Sequence, residues 1–231
     1  MTQRRARPLL GTLVEISLPD GADAAWFESG FAAVARVQQR WSRFESDSEI
    51  GRFNALAAGD SFALKPGSAG LLFMAAWLQA HSGGLFDIAQ GSGGWQVTNG
   101  RLHKLTPMTQ LDLGGIAKGY AVDRAVAALK HAGAAWACVN AGGDLRVFGA
   151  QPVALQLRDE RGGGVREFGH LENGSFATSR LGVHSVTHHV SVAAPRCVWA
   201  DALTKVIAAS GDTAHPLLTR FQAQAWIHSA P

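Results

Sequence analysis

Three glycines, a carboxylate and a lysine fall within eight residues, 112–119, of the run Leu-Asp-Leu-Gly-Gly-Ile-Ala-Lys-Gly-Tyr-Ala-Val-Asp-Arg at 111–124. Ala121, Val122, Ala125, Val126 and Leu129 recur at helical spacing, which predicts a helix from about 117 to 131 with Lys118 at its start. The first N–H groups of a helix have no intrahelical acceptor, and its dipole is positive there, so anions are favoured. A second block, Val-Asn-Ala-Gly-Gly-Asp at 139–144, ends a predicted strand in two glycines and an acid. Such glycines let backbone approach a ligand or take a positive φ. Together the blocks suggest a phosphate-bearing ligand held between one helix start and one strand end. A helix entry carrying a solvated lysine is the alternative. The spacings of a P-loop and of a Gly-x-Gly-x-x-Gly dinucleotide turn are both absent.

Other residues offer chemistry with plainer alternatives beside it. Asp87 follows Phe86 and precedes Gly91-Ser92-Gly93-Gly94, so it either positions a nucleotide or caps its own turn. Phe44 can stack on a flat ring or pack in the core. Asp201 and Lys205 stand four apart in a predicted helix, where the pair can meet on one face. Zinc held by His184, His188 and His189 is weakly supported, because strand alternation points neighbours apart. There is no Gly-x-Ser-x-Gly and no recognisable triad, so a nucleophile of the protein's own is not indicated.

These residues need a scaffold. With 231 residues, 47% hydrophobic and 17% charged, the chain can bury a sizeable core and reads as one domain, 1–231. Leu10–Leu18 reads as a strand, and Phe27, Phe31, Val34, Val37 and Trp41 as one face of a long helix. Ser46 or Asp47 can cap a short helix, and 68–80 forms another between Pro66-Gly67 and Gly83-Gly84. Strands are predicted at 135–140, 145–148, 153–157, 165–171, 175–178 and 188–193, a helix at 200–210, and a last strand at 223–228. Runs of strands with helices between them predict an α+β fold, a largely antiparallel sheet with packed helices.

Composition excludes some partners. The net charge of +3 is a small basic excess, and Arg4, Arg5 and Arg7 read as a frayed, solvated end, so no nucleic-acid surface is expected. No apolar stretch approaches the roughly 20 residues of a membrane span. Cys138 and Cys197 form no Cys-x-x-Cys, and Cys138 lies in an apolar run that predicts a buried thiol.

The two Gly-rich blocks resemble those of the FAD:protein FMN transferase family, the ApbE-like flavin transferases. Further matches follow in family order: Leu10-Gly11-Thr12; Trp41-Ser42-Arg43-Phe44 with Asp47-Ser48-Glu49-Ile50 and Asn54; Gly84-Leu85-Phe86-Asp87; Phe176-Ala177-Thr178-Ser179; and Ala200-Asp201-Ala202-Leu203. The resemblance spans about residue 9 to about 212. It implies a transferase that moves FMN from FAD to a Thr or Ser of a target protein with release of AMP, using Mg²⁺. A non-catalytic flavin-binding relative and an FAD diphosphatase are the alternatives. By the resemblance, Leu10, Gly11, Thr12, Phe44, Phe86, Asp87, Ile88, Asp112 and Lys118 contact the flavin nucleotide, with Lys118 meeting the diphosphate as a point charge. Gly115 through its carbonyl, Asp201 and Thr204 would hold the cation, and Asp201 and His189 would be catalytic. The implied partner is a flavin-accepting protein, a membrane redox subunit being one candidate. Without a leader or a lipid-bearing cysteine the chain as written is expected in the cytoplasm, and as a periplasmic lipoprotein where a leader had been removed.

Two departures from the family pattern stand out. Where a hydroxyl residue is usual four positions after the Asp, this chain has Lys205. Its ammonium either takes the cation's place or swings outward and leaves Thr204 to the ion. The family's His-x-x-Asp-Pro-x-Thr-Gly is also missing, and His188 or His189 alone holds the place of its histidine.

Overall fold

A computed structural model describes residues 1–158, 164–180 and 188–229. In chain order the elements begin with β1 (Thr2–Leu9), β2 (Thr12–Pro19), α1 (Ala24–Trp41), α2 (Glu49–Asn54), β3 (Ser61–Ala63) and α3 (Ala69–His81). There follow β4 (Trp95–Thr98), β5 (Arg101–Lys104), α4 (Ala117–His131), β6 (Ala137–Ala141), β7 (Asp144–Phe148) and β8 (Val153–Arg158). The last are β9 (Val165–Leu171), β10 (Ser175–Arg180), β11 (His188–Ala194), α5 (Cys197–Ser210), α6 (Pro216–Arg220) and β12 (Gln224–Ser229). The chain divides into two compact units, Met1–Ala35 with Lys118–Pro231, and Arg36–Ala117.

The first unit is built on a seven-stranded antiparallel sheet in the order β1-β2-β6-β7-β10-β11-β12. Its two faces are covered differently, because successive side chains of a strand point opposite ways. On one face Ala177 and Ala194 pack against Ala200 of α5. On the other, Phe176 and Ala193 pack with Leu155 and Leu157 of β8, which pairs with β9 in a separate hairpin. Gly30 of α1 leaves room for two neighbours: a Cβ there would lie 2.6 Å from Ile16 Cδ1 and 3.4 Å from Leu129 Cδ2.

The amino-terminal arginines are not frayed. β1 pairs with β2 along its whole length, through a Leu10-Gly11 turn with φ of 57° and 70°. Two left-handed residues make a turn whose twist matches that of the strands. Arg4 pairs with Glu15 at 3.3 Å, and the Arg5 and Arg7 guanidiniums lie 4.5 and 4.6 Å over Phe27 and Phe31. The strand reads as polar because it is an edge, and charged side chains there discourage pairing with other chains.

The second unit holds the carboxyl-terminal part of α1, then α2, α3 and a three-stranded sheet in the order β3-β5-β4. The cap of α2 is Ser48 rather than Ser46 or Asp47. Its Oγ accepts the Gly51 N–H at 2.8 Å and donates to the Ser42 carbonyl at 2.6 Å. The β4–β5 hairpin turns through Asn99-Gly100, again both left-handed, at φ 50° and 69°.

Candidate functional site: a buried carboxylate and lysine cluster

The site begins where α4 meets α5. Gly119 of α4 permits the approach: a Cβ there would lie 2.2 Å from the Cys197 carbonyl oxygen and 2.8 Å from Asp201 Cβ. Any larger residue would push the helices apart. α5 opens at Arg196, which makes no side-chain cap of its own. The cap comes instead from Asp123 on α4. Its Oδ1 accepts the Cys197 N–H at 3.0 Å and its Oδ2 the Val198 N–H at 3.2 Å. Arg146 Nη1 reaches the same carboxylate at 2.6 Å and Arg196 Nε at 3.4 Å. Asp123 thus satisfies donors that a helix start leaves open, and it fixes α5 on α4.

Asp201, one turn into α5, is fully buried. Its Oδ2 accepts the Gly119 N–H at 3.0 Å, and its Oδ1 accepts from Lys205 Nζ at 3.2 Å. Lys205 Nζ also donates to Thr204 Oγ1 at 2.9 Å, while that hydroxyl donates to the Asp201 carbonyl at 2.6 Å. Of the two expectations for Lys205, the structure shows the one in which its ammonium turns toward Asp201.

Lys118 Nζ donates to Asp144 Oδ2. Asp144 opens β7 after the Gly142-Gly143 turn, which Asn140 Oδ1 holds by accepting the Gly143 N–H at 2.9 Å. Thr12 lies against this turn, so close that a Cβ on Gly142 would sit 2.4 Å from Thr12 Oγ1. The Leu10-Gly11-Thr12 turn and the Asn140–Asp144 block therefore come together. Asp144 was visible in the sequence as the acid after two glycines, but nothing local marks it as the partner of Lys118. Asp123 was equally visible, and equally unmarked.

Charge placement in the cluster is asymmetric. The carboxylates are inside, with the Asp144 and Asp201 side chains 1% and 0% exposed, while those of Lys118 and Lys205 are 31% and 30% exposed. Burial opposes the Lys118 charge, yet Asp201 and Asp144 outweigh it and hold its pKa above the ordinary ammonium value. Burial pushes Asp144 up, with repulsion from Asp201 adding to it and Lys118 working against it. Burial also raises the Cys197 thiol well above its usual range, helped by Asp144, Asp123 and Asp201, so Cys197 stays a neutral thiol. Among the described residues no three His, Cys, Asp or Glu side chains are grouped to hold a metal ion.

The second unit carries the remaining candidates. Asp87 caps its own turn, with Oδ1 accepting the Ala89 N–H and Oδ2 the Gly91 N–H, both at 2.8 Å. The side chains of Phe86 and Ile88 are buried, and the Ile88 carbonyl accepts the Asp112 N–H at 2.8 Å. Asp112 Oδ1 accepts the Gly114 N–H at 2.8 Å, and Oδ2 pairs with Arg43 Nε at 3.2 Å. Phe44 is no core residue: it is 83% exposed, with the Arg43 guanidinium 4.5 Å over its ring. Gly115 lies in the turn that leads into α4.

His189 stands apart from the lysine cluster. Along β11, Val190, Val192 and Ala194 share one face, and Ala194 meets α5. His189, Ser191 and Ala193 share the other, which faces away from the helix that bears Asp201. His189 instead lines a cavity of about 840 Å³ together with Arg4, Glu15, Trp136, Cys138 and Phe176. Burial pushes the Cys138 thiol up to about 11, as its apolar run predicts. Ser191 Oγ joins Thr178 Oγ1 and His228 Nε2, each at 2.9 Å. His184, one of the three zinc candidates, lies outside the described residues, as does the side chain of His188.

Lys118 of one Gly-rich block thus meets Asp144 of the other, and Gly119 ties the first block to Asp201 of α5. Residues 10–94 and 92–183 match the model of the ApbE family, and the chain belongs to that family. It is 30% identical over 191 aligned positions to a protein of Rhodobacter capsulatus called FAD:protein FMN transferase. That match covers 65% of this chain and 36% of the relative, so the chain spans about a third of it. Among solved structures, the apo flavinyl transferase ApbE of Pseudomonas stutzeri superposes with a TM-score of 0.81 at 22% identity, covering 98% of this chain and 90% of that one. The ApbE protein of Thermotoga maritima gives 0.84 at 21% identity, covering 98% and 94%.

Proposed function

We propose that this chain is an FAD:protein FMN transferase, with 1–231 acting as one functional domain. Membership of the ApbE family and the name of the Rhodobacter capsulatus relative support this. The observation that carries it is the buried pair Asp144 and Asp201, each joined to a lysine, Lys118 and Lys205, whose side chain is about a third exposed. In the transfer, the target's Thr or Ser oxygen bonds to the FMN phosphorus, the bond from that phosphorus to the bridging oxygen breaks, the oxygen leaves with AMP, and the hydroxyl proton passes to solvent. Negative charge builds on the departing AMP. Two fixed ammoniums in a partly dry site offset such charge without reorganising. Asp201 sets the position of Lys205 and adds to the field at Lys118, so activity depends on it more than on His189. Asp112 and the exposed ring of Phe44 are proposed contacts to the flavin nucleotide, and the turn at Leu10, Gly11 and Thr12 shapes the wall beside Asp144.

The resemblance implies Mg²⁺ at Asp201, Thr204 and the Gly115 carbonyl. Mg²⁺ demands a near-octahedral shell of oxygens. Here each Asp201 oxygen already accepts an N–H, and the Thr204 hydroxyl is engaged as donor and as acceptor. A protonated lysine cannot ligate a metal. The residues present therefore do not fit the ion while Lys205 keeps this position.

The partner follows from the chemistry: a protein offering a hydroxyl, a membrane redox subunit being one candidate. Among the described residues no helix is long and apolar enough to cross a membrane. The proposed place of action is the cytoplasm or the periplasm. Incubation with FAD and a flavin-accepting peptide, following AMP and peptide mass, tests the activity. One AMP per peptide that gains FMN is the expected result. Bound FAD without AMP would mark a carrier, and AMP without a modified peptide would mark a diphosphatase.

A further inference from the structure

Two observations combine. Counted at full ionisation, the two carboxylates and two ammoniums of the cluster cancel, so it has no net negative charge to draw in a divalent cation. The carboxylates are wholly buried while both lysine side chains are about a third exposed, so an approaching ligand meets the lysine side chains before the acids. Hydrogen bonds fix Lys205 from two sides, Asp201 Oδ1 and Thr204 Oγ1. An ammonium bears three donors, and these two acceptors leave one for a ligand.

We propose that Lys205 is a resident cation, acting with Lys118 to bind a diphosphate without a divalent metal. This rests on the flavin-transferase reading for its natural ligand, FAD, but the site's own chemistry is that of any diphosphate. Asp201 and Thr204 position the ammonium. Gly119 keeps α4 near enough for its N–H to hold the second oxygen of Asp201.

Isothermal titration calorimetry of the full chain with inorganic pyrophosphate and with FAD, in EDTA and then in Mg²⁺, tests the proposal. The parent binds both in EDTA, and Mg²⁺ adds nothing. Lys205→Gln keeps an N–H donor toward Asp201 but loses the charge, and it weakens pyrophosphate binding in EDTA by about tenfold or more, the scale of a charge-assisted hydrogen bond. Lys205→Arg, which keeps the charge, still binds in EDTA. Lys205→Thr removes the ammonium and adds a hydroxyl, so it binds Mg²⁺ more tightly than the parent and recovers pyrophosphate binding only with the ion. A thermal melt of each variant separates loss of fold from loss of the site. A parent that binds pyrophosphate only with Mg²⁺, or Lys205→Gln that binds it as the parent does, overturns the proposal. Pyrophosphate binding without FAD binding overturns the flavin reading and leaves the metal-free site standing.

Discussion

The aspartates of the lysine cluster and those of the turns in the second unit are held differently. Asp144, Asp201 and Asp123 are buried, and each is held by groups distant in sequence, Asp123 by Cys197 and Val198 and Asp201 by Gly119. Asp87 and Asp112 hold N–H groups two to four residues further along, in turns. A buried carboxylate is costly unless paired and hydrogen-bonded, so removing one partner leaves an uncompensated charge. Asp87 loses only local hydrogen bonds on substitution, whereas Asp112 adds one ion pair, with Arg43, to its turn. Both units carry residues of the motif set, but the buried pairing of carboxylates with lysines belongs to the first.

That contrast can be broken by substitution. Asp123→Ala should have the largest effect, because it strips the cap from α5 and leaves Arg146 without its buried partner. A loss of about 3–5 kcal/mol is the scale for such a site, read from urea unfolding. Asp201→Asn keeps the shape and removes the charge between two lysines. It should cost about 2–3 kcal/mol, the scale of charged hydrogen bonds, and abolish AMP release from FAD. Transfer at the parent rate would show that the cluster is structural only. Asp87→Ala should cost about 1 kcal/mol, as for a lost local cap. A loss equal to that of Asp123→Ala would erase the distinction between the units.

The smallest effect concerns pH. Burial, then Arg166 and His189, lowers the His228 pKa below 6.5. The folded state therefore binds fewer protons than the unfolded chain in this range. Stability is full above the unfolded value and falls as pH drops from it through the folded pKa. His228→Gln should flatten that fall in thermal melts between about pH 7 and 5. An unchanged slope would move the titration to another group.

Much of the frame was legible because it is local. The spacing of Phe27, Phe31, Val34, Val37 and Trp41 marks α1, and all five are buried. The Asp201–Lys205 pair was legible because i, i+4 is a property of one helix. Other features were hidden for physical reasons. The polar composition of β1 reads as a solvated end, since an edge strand needs no apolar face. The β4–β5 hairpin is hidden although Asn99-Gly100 is a strong turn signal, because strands of four residues show little alternation. The cap of α5 comes from Asp123, 74 residues before Cys197, and the partner of Lys118 from Asp144, 26 residues away. The face on which His189 projects depends on the register of β11 with β10 and β12, which no local pattern fixes.

The central claim is that the Lys118 and Lys205 ammoniums, held by buried Asp144 and Asp201, meet the diphosphate of FAD. The most direct measurement is an FAD titration of the parent and of Lys118→Ala, with a melt to confirm folding. A charge-assisted hydrogen bond to phosphate predicts a loss of about 1–3 kcal/mol in binding, roughly fivefold to 150-fold in Kd. Unchanged FAD affinity in folded Lys118→Ala would contradict the account and leave Lys118 as no more than the structural partner of Asp144.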